Sequence, residues 1–348
     1  IVRGPVPLPS INASYMINNN TGYIKINRFS QTTYSEFKEK ILSLLNQEMK
    51  NLVLDLRGNP GGYLLPAKQI ADDFLEINQP IVIVEANNGK REKTISSANG
   101  LFEKGKLFIL VDEDSASASE VIAGAIQDND RGLIIGRRTF GKGLVQQQMP
   151  LGFGDQIRLT TARYYTPTGR SIQRPYDSSA RKDYFADIHN RYKTGEMRNP
   201  KKIPFDDNLT FTTPQGRKVY GGGGITPDIY ISNGVDEEEL WAQNILNSNI
   251  IDLFVFLELD KNSKKYNFDN AAKFFNEDLP NKKEFISSFK KFCKENSLPI
   301  NIDNYIESSV LNSIKAHIAL QLFNENVFNR ILNQNDPFVI RTMQEIKK

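Results

Sequence analysis

The sequence is poor in the residues that most often bind metals or form disulfides, since its 348 residues include one cysteine and two histidines. Cys293 alone excludes an internal disulfide framework and any zinc or iron–sulfur site built from several cysteines. His189 and His317 lie far from each other and from the cysteine in sequence, so they form no ligand cluster. We therefore expect no metal site.

The sequence also lacks a large charge excess and a long apolar run. Its 44 basic and 41 acidic residues leave a net charge of +3, which is too small and too interspersed to favour nucleic acid as the main partner. No apolar run is long enough to span a bilayer, so no membrane-inserted segment is predicted in this chain. With 39% hydrophobic residues, the composition is typical of a globular protein. The length suggests two or three domains, or one large domain with an appendage.

The first 136 residues alternate between strand and helix patterns. Residues 21–56 contain a strand (TGYIKINRF), an amphipathic helix (SEFKEKILSLLNQEM) and a buried strand (NLVLDL). The alternation continues with helices predicted near 64–76 and 117–129 and strands predicted at 81–86, 106–113 and 131–136. This pattern is typical of an α/β layer in which mostly parallel strands present loops and helix starts at one edge.

Three further regions follow this layer. Residues 143–166 predict a hairpin, with strand-like stretches on either side of LGFGD. Residues 174–220 are polar with little periodicity, which predicts a surface insertion that ends in the Gly221–Gly224 run and one more strand, ITPDIYI. After about residue 235 apolar positions recur at helical intervals, which predicts a separate α-helical lobe.

The segment LFILVDEDSASASEVIAGAIQD places an apolar strand, a Ser/Ala-rich turn and a helix in succession. A nucleophile at Ser117 would lie at the helix N-terminus, where unpaired N–H groups and the positive dipole end favour an oxyanion. Ser117 to Glu120 also matches a capping box, which needs only to satisfy backbone donors. Taken alone, the segment favours the cap.

The segment GRRTFGKGLVQQ places Lys142 between two glycines. Neighbouring backbone can approach such a lysine closely, which would desolvate the amine and lower its pKa toward that of a useful base. Gln146 lies four residues on and could accept a hydrogen bond from the amine. The common alternative is a glycine-rich turn with a solvated lysine.

Residues 136–142 also spell G-x-x-x-x-G-K, the start of a phosphate-binding loop. A nucleotide site needs Ser or Thr after the lysine and a helix whose N-terminus faces the phosphates. Here Gly143 follows and LVQQQMP reads as a strand, so the nucleotide interpretation is weak.

A third segment, NLVLDLRGNPGGYLLPA, is a buried strand that ends in a turn rich in glycine. Glycines let backbone N–H groups approach a ligand, so one amide of this turn could complete an oxyanion hole with the amide of Ala118. An ordinary strand-to-helix turn would use the same residues.

A histidine-based triad is disfavoured by the sequence. No G-x-S-x-G elbow occurs, His189 lies in the irregular insertion, and His317 lies on an amphipathic helix where a packing role is expected. Asp128 is eleven residues after Ser117, about 16 Å along a regular helix, so we expect a structural role such as charge pairing.

Together the three segments resemble the carboxy-terminal processing or tail-specific proteases, a family of Ser/Lys endopeptidases of the S41 type. LDLRGNPGG, SASASE, TFGKGLVQ, ARYYTPTGRSIQ and GGITPD are all near the family's characteristic forms, and the resemblance covers roughly residues 1–232. It implies Ser117 as nucleophile, Lys142 as general base and Gln146 as the residue that orients the lysine. It also implies an oxyanion hole made by main-chain amides of Ala118 and of Gly61 or Gly62.

The resemblance further implies an α/β fold of the ClpP/crotonase type, built from stacked ββα units. Family members usually carry a PDZ domain just before the segment that begins here, so residues 1–20 are expected to be a linker left by a missing or truncated PDZ domain. The protease core is then expected over residues 21–234 and the helical lobe over residues 235–348.

The predicted function is therefore that of a serine endopeptidase acting near the C-termini of protein substrates through an acyl-enzyme. This mechanism requires no metal and no organic cofactor. The resemblance implies a location in the periplasm or cell envelope. The helical lobe offers a surface for homo-oligomer formation. Two alternatives stay open: a catalytically idle peptide-binding or scaffold protein on the same fold, and an enoyl-CoA hydratase-like lyase.

Overall fold

The structure is a computed structural model, and it divides the chain into two compact units. The first unit contains Ile1–Ser232 and Glu345–Lys348, and the second contains Asn233–Gln344. The described residues are 4, 8–175, 181–233, 249–262, 270–277, 279, 281–298 and 304–348.

The first unit is a mixed α/β structure. Its strands are β1 (Ile11–Asn18), β2 (Thr21–Ile26), β3 (Asn51–Asp55), β4 (Pro80–Ala86), β5 (Arg91–Ile95), β6 (Lys106–Val111), β7 (Leu133–Gly136), β8 (Leu144–Gly152), β9 (Asp155–Tyr165), β10 (Thr210–Thr212), β11 (Lys218–Tyr220) and β12 (Ile229–Tyr230). Its helices are α1 (Thr33–Leu45), α2 (Leu64–Asp72), α3 (Ala118–Asp128) and α4 (Arg181–Thr194), with short 3₁₀ turns at Pro200–Lys202 and Asp207–Leu209.

The principal sheet has six strands in the order β1-β2-β3-β6-β7-β12. β2, β3, β6, β7 and β12 pair in parallel, and β1 pairs antiparallel to β2. The central strand β3 is buried at every position, as expected for a parallel strand covered on both faces. Because neighbouring parallel strands end at the same edge, the turns that follow β3 and β6 are brought side by side.

Helix α3 is buried along its whole length. Its small residues permit this close packing: a Cβ at Gly124 would lie 2.7 Å from a methyl carbon of Thr166. The helix is therefore held firmly from end to end, and so is the turn that precedes it.

A second sheet differs from the expected arrangement. Its four strands have the order β5-β4-β9-β8, and all pair antiparallel. The strand predicted at 81–86 is thus present as β4, but it belongs to this sheet and not to the parallel layer. The predicted hairpin of residues 143–166 is present as β8 and β9, and β8 forms one edge of the sheet.

Two other expectations are corrected. Residues 11–18 are an edge strand of the principal sheet, paired with β2, and therefore not part of a linker. The region 174–220 is not a surface insertion throughout, because α4 and the following turn contribute the buried residues Arg191, Glu196 and Met197.

The second unit is helical in its described residues. Its helices are α5 (Ile250–Lys261), α6 (Ala271–Asn276), α7 (Lys282–Glu295), α8 (Asn304–Leu322), α9 (Glu325–Asn333) and α10 (Pro337–Ile346), of which the last residues of α10 group with the first unit. The core is rich in phenylalanine and contains the buried Cys293. The helical pattern read from 236–248 lies outside the described residues. In the described part of the chain, no helix combines the length and the apolar character needed to cross a bilayer.

Asp128 closes α3 with the charge pair expected from the sequence. Its carboxylate contacts the Arg170 guanidinium at 2.7 Å, and both side chains are 0% exposed. Arg170 also donates to the carbonyl of Tyr220 and to the side chain of Gln127, so its donors are satisfied inside the core. The pair joins the end of α3 to the chain that follows β9.

We expect Asp128→Asn to destabilise the first unit by about 3–5 kcal/mol, because it leaves the Arg170 cation buried without its counter-charge. The measurement is hydrogen exchange of peptides from α3 during urea unfolding, which follows the first unit specifically. Glu39→Gln, at a 74% exposed carboxylate paired with Lys40, is the control and should shift the free energy of unfolding by less than about 1 kcal/mol. Equal effects of the two substitutions would contradict this account.

Candidate active site

The candidate site begins where two turns are joined at the ends of β3 and β6. Ser115 Oγ donates to the carbonyl of Leu56 at 2.8 Å, and Ser119 Oγ donates to the carbonyl of Asn59 at 3.0 Å. The amide of Ala116 donates to the same Asn59 carbonyl at 3.0 Å. The glycine-rich turn and the serine-rich turn therefore form one hydrogen-bonded body.

Ser117 lies between β6 and α3 in a conformation that an L-residue rarely adopts. Its φ is 56° and its ψ is −111°, at the residue immediately before the helix. Such a backbone conformation costs on the order of 1–3 kcal/mol and persists only where surrounding contacts maintain it. It places a half-buried hydroxyl at the start of α3, beside the N–H groups of the first helical turn.

The carboxylate of Glu120 maintains this conformation and also anchors the lysine loop. Oε2 accepts hydrogen bonds from the amides of Ser117 at 2.9 Å and Lys142 at 2.8 Å. Oε1 accepts from Thr139 Oγ1 at 2.5 Å and from the amide of Gly141 at 2.7 Å. The side chain is 0% exposed, and burial raises the pKa of Glu120 while these four donors oppose the rise. One acidic group therefore fixes the backbones of Ser117 and Lys142 together.

Tyr164 supplies a second connection between the same two residues. Its buried phenol lies 2.9 Å from the carbonyl oxygen of Ser117 and 2.5 Å from that of Lys142. Since a phenol has one hydrogen, it can donate a full hydrogen bond to only one of the two carbonyls at a time. Glu120 thus holds both backbones through their amides, and Tyr164 holds the carbonyl of one of them at a time.

The Lys142 amine has the environment predicted for a base. Burial, followed by repulsion from Arg158, lowers the pKa of Lys142, whereas attraction to Glu120 acts in the opposite direction. The predicted hydrogen bond to Gln146 is present, with 3.3 Å between Lys142 Nζ and Gln146 Oε1. Among the described residues, no hydrogen bond joins Lys142 Nζ to Ser117 Oγ.

Backbone approaches this loop as closely as its glycines suggested. A Cβ at Gly143 would lie 3.1 Å from the amide nitrogen of Gln173, and one at Gly141 would lie 3.1 Å from that of Gly224. The glycines therefore let the neighbouring chain cover the loop and partly exclude water from the lysine.

The two glycines proposed for an oxyanion hole differ in their hydrogen bonding. The Gly61 amide donates to Asn59 Oδ1 at 2.9 Å, so it is already engaged. The amides of Gly62 and Ala118 have no partner among the described residues. A Cβ at Gly61 would lie 2.9 Å from the Ala118 nitrogen, and one at Gly62 would lie 2.0 Å from the Phe29 carbonyl oxygen. The turn therefore passes too close to its neighbours for any side chain at either glycine.

These groups line a single cleft of about 810 Å³. Its lining contains Ser117, Ala118, Lys142 and Gln146, both glycines of the turn, and residues 144–148 of the edge strand β8. His317 is in the second unit, packed edge-on against Phe328, and His189 is exposed on α4. Neither histidine is among the cleft residues.

Comparison with known proteins relates part of the chain to a peptidase family. Residues 20–177, the S41 segment, match the family model described as peptidase family S41. The match covers less than half of the 348 residues. Residues 241–324 match a family of unknown function (DUF8443).

Two curated proteases and one solved structure are similar to this chain. The carboxy-terminal processing protease CtpB of Bacillus subtilis is 34% identical over 53% of this chain and 40% of its own length. A carboxy-terminal-processing protease of Bartonella bacilliformis is 36% identical over 50% of this chain and 40% of its own length. A solved photosystem II D1 C-terminal processing protease is 29% identical, with a TM-score of 0.43, over 61% of this chain and 42% of its own. The chain thus spans less than half the length of these relatives in the matched regions.

The S41 segment also contains two positioning residues that the sequence reading missed. Glu120 was interpreted only as part of a capping box, although its bonds extend to the lysine loop, and Tyr164 was assigned no role. The sequence signal that could have indicated their role is that they lie in the motifs SASASE and ARYYT. The long-range partners of both residues come from segments 19 to 47 residues away in sequence.

We expect Glu120→Gln to lower kcat/KM for peptide cleavage by about 100-fold or more. Each Glu120 oxygen accepts hydrogen bonds from two donors. In glutamine an NH₂ group replaces one of these oxygens and faces N–H or O–H donors, so the site loses about 1.5–3 kcal/mol for each hydrogen bond that is broken. With a neutral lysine amine as the base expected from the sequence, activity should rise with pH through the pKa of Lys142. Loss of the Glu120 charge should move that midpoint downward.

Glu113→Gln is the matched control, since Glu113 is also buried and paired, with Arg137 at 2.6 Å, but has no bond to Ser117 or Lys142. It should leave the pH midpoint unchanged. A wild-type rate and midpoint in Glu120→Gln would show that the carboxylate does not position the site.

Gly61→Ala should reduce activity far more than Gly58→Ala. Both glycines have positive φ, of 94° and 67°, so both substitutions incur some backbone strain. An added Cβ at Gly61 lies 2.7 Å from Ser117 Cβ, whereas one at Gly58 meets nothing within 4 Å. The measurement is kcat/KM at matched folded fractions, and equal losses would contradict a steric effect on Ser117.

Proposed function

We propose that this chain is a serine endopeptidase in which Ser117 is the nucleophile and Lys142 is the general base. The observation that carries the proposal is that the backbone amides of Ser117 and Lys142 both donate hydrogen bonds to the Glu120 carboxylate beside one cleft. Burial also lowers the pKa of Lys142. A neutral amine beside a serine hydroxyl at a helix N-terminus is an arrangement for acyl transfer. The names of the relatives support peptide bonds as the substrate.

In the proposed mechanism, Ser117 Oγ attacks the carbonyl carbon of the scissile peptide bond as its proton moves to Lys142 Nζ. The carbonyl oxygen becomes an oxyanion that accepts hydrogen bonds from the amides of Ala118 and Gly62. Gly61 is the less suitable of the two glycine donors because its amide is bonded to Asn59.

The tetrahedral intermediate collapses when Lys142 gives the proton to the leaving amine, and an ester at Ser117 remains. Water then attacks the ester while Lys142 takes a proton from that water. Lys142 gives the proton to Ser117 Oγ as the carboxylate product leaves. Gln146 accepts a hydrogen bond from the amine and so directs it. The contact between Ser117 Oγ and Lys142 Nζ must form on substrate binding, since no hydrogen bond joins them in the described structure.

The proposal includes finer features of the sequence reading. Cleavage near a protein's C-terminus agrees with the relatives' names, and the edge strand β8 offers main-chain groups to an extended substrate. We also propose a ClpP/crotonase type of core for the mixed α/β unit. Location in the cell envelope or periplasm and homo-oligomer formation through the helical lobe stay predictions.

We expect Ser117→Ala to abolish both covalent labelling by a serine-directed phosphonate and cleavage of an unfolded protein. Lys142→Ala and Lys142→Arg should each reduce cleavage by about 10⁴-fold or more, because arginine keeps the cation but cannot act as a base at neutral pH. Gln146→Ala should reduce it by about 10-fold, as loss of one orienting hydrogen bond.

Cleavage by Lys142→Arg at the wild-type rate would falsify the Ser/Lys assignment. Peptide binding without labelling or cleavage by the wild-type chain would favour the idle scaffold. Turnover of an acyl-CoA by the wild-type chain, lost in Ser117→Ala, would favour the lyase.

A further inference from the structure

Arg158 differs from most arginines of the first unit because it has no acidic partner among the described residues. For example, Arg57 pairs with Asp55 at 2.6 Å, Arg137 with Glu113 at 2.6 Å and Arg170 with Asp128 at 2.7 Å. Arg158 is exposed on β9, and no hydrogen bond or ion pair to its guanidinium is present in the described part of the chain. Its guanidinium is available to a ligand.

Arg158 also borders the candidate active-site cleft. Arg158 is one of the residues that line the cleft with Ser117 and Lys142. Its effect on Lys142 is consistent with this position, since its positive charge is the second cause, after burial, that lowers the pKa of that lysine. An unpaired cation therefore shares the cleft with the proposed base.

The register of the hairpin places Arg158 close to Gln146. Gln146 pairs with Thr160 and Gln148 pairs with Arg158, so these four residues share one face of the β8–β9 hairpin. Arg158 is the diagonal neighbour of Gln146, at about 7–8 Å, which is within reach of a long side chain. A peptide that occupies the cleft from Ser117 along β8 would pass Arg158 about two residues beyond Gln146.

We propose that Arg158 binds a carboxylate of the peptide substrate within the cleft and so selects substrates that carry one there. This inference rests on the proposed endopeptidase function and adds a substrate class to it. Arginine is suited to the task because its planar guanidinium can donate two parallel hydrogen bonds to a carboxylate. The carboxylate can come from the free C-terminus of the chain or from an aspartate or glutamate side chain.

The experiment compares the purified chain on fluorogenic peptides that share one scissile bond. The first series consists of matched pairs, in which one peptide ends in a free carboxylate and the other in an amide. Successive pairs place this C-terminus farther from the scissile bond. A second series has Glu or Gln at successive positions. We expect kcat/KM to rise by about 10-fold at one position of the carboxylate, mainly through KM, and the series that shows the effect identifies its source.

The variants separate the role of Arg158 from a general effect of positive charge. Arg158→Gln should abolish the preference, and Arg158→Lys should retain part of it, because lysine keeps the charge without the two-pronged geometry. Arg163→Gln is the matched control, since Arg163 is exposed on the same strand but does not line the cleft. It should keep the full preference. Persistence of the preference in Arg158→Gln, or its absence in the wild-type chain, overturns the inference.

A second readout does not depend on the peptide series. Removal of the Arg158 charge should move the pH midpoint of activity upward on an uncharged peptide, because repulsion from Arg158 lowers the pKa of Lys142. Arg163→Gln should leave the midpoint unchanged. An unchanged midpoint in Arg158→Gln would place the guanidinium too far from the lysine for the proposed subsite.

A binding assay distinguishes failure of this inference from failure of the proposed function. If the wild-type chain cleaves none of the peptides, the endopeptidase proposal fails. Fluorescence anisotropy with Ser117→Ala and labelled peptides then still decides the role of Arg158. Tighter binding of the carboxylate peptide, lost in the double variant with Arg158→Gln, supports the subsite, and equal binding of carboxylate and amide peptides rejects it.

Discussion

The buried carboxylate of Glu120 is the constraint on which the candidate site depends. A carboxylate removed from water is costly unless its oxygens are fully hydrogen-bonded, and here each oxygen accepts two donors. The donors come from the turn before α3 and from the lysine loop, so satisfying one buried charge requires both segments to be in place. The same bonds that stabilise the charge therefore define the positions of Ser117 and Lys142.

Several locally unfavourable features are concentrated around this carboxylate. Ser117 has a strained backbone, Lys142 is partly removed from water, and Gly61 and Gly62 adopt conformations that other residues rarely reach. Each would relax if it stood alone. They persist because α3 is buried along its length and is joined at its far end to Arg170 through Asp128. Rigid packing on both sides of the site offsets the strain within it.

Much of the fold near the site could be read from local pattern. The parallel strands β2, β3 and β6 and the helices α1 and α3 agree with the predicted alternation, because apolar periodicity reflects burial directly. Strand β4 was predicted at the right place but assigned to the wrong sheet, since a short apolar run does not specify its partners. Residues 11–18 were expected to be part of a linker. In the polar region 174–220 the sequence did not indicate that Arg191 and Glu196 are buried, because their neighbours come from distant segments.

By itself the sequence determined the reactive groups that the chain contains: a serine before a helix, a lysine between glycines with Gln146 at a spacing that permits a hydrogen bond, and no cluster of histidine or cysteine. These follow from residue type and short spacing, which local geometry translates directly into structure. Only the tertiary structure decided that Glu120 and Tyr164 join the two segments, that the Gly61 amide is engaged while that of Gly62 has no described partner, and that Arg158 lies in the same cleft. Those relations depend on which distant segments pack together, and burial and hydrogen-bond satisfaction of the whole unit select that packing.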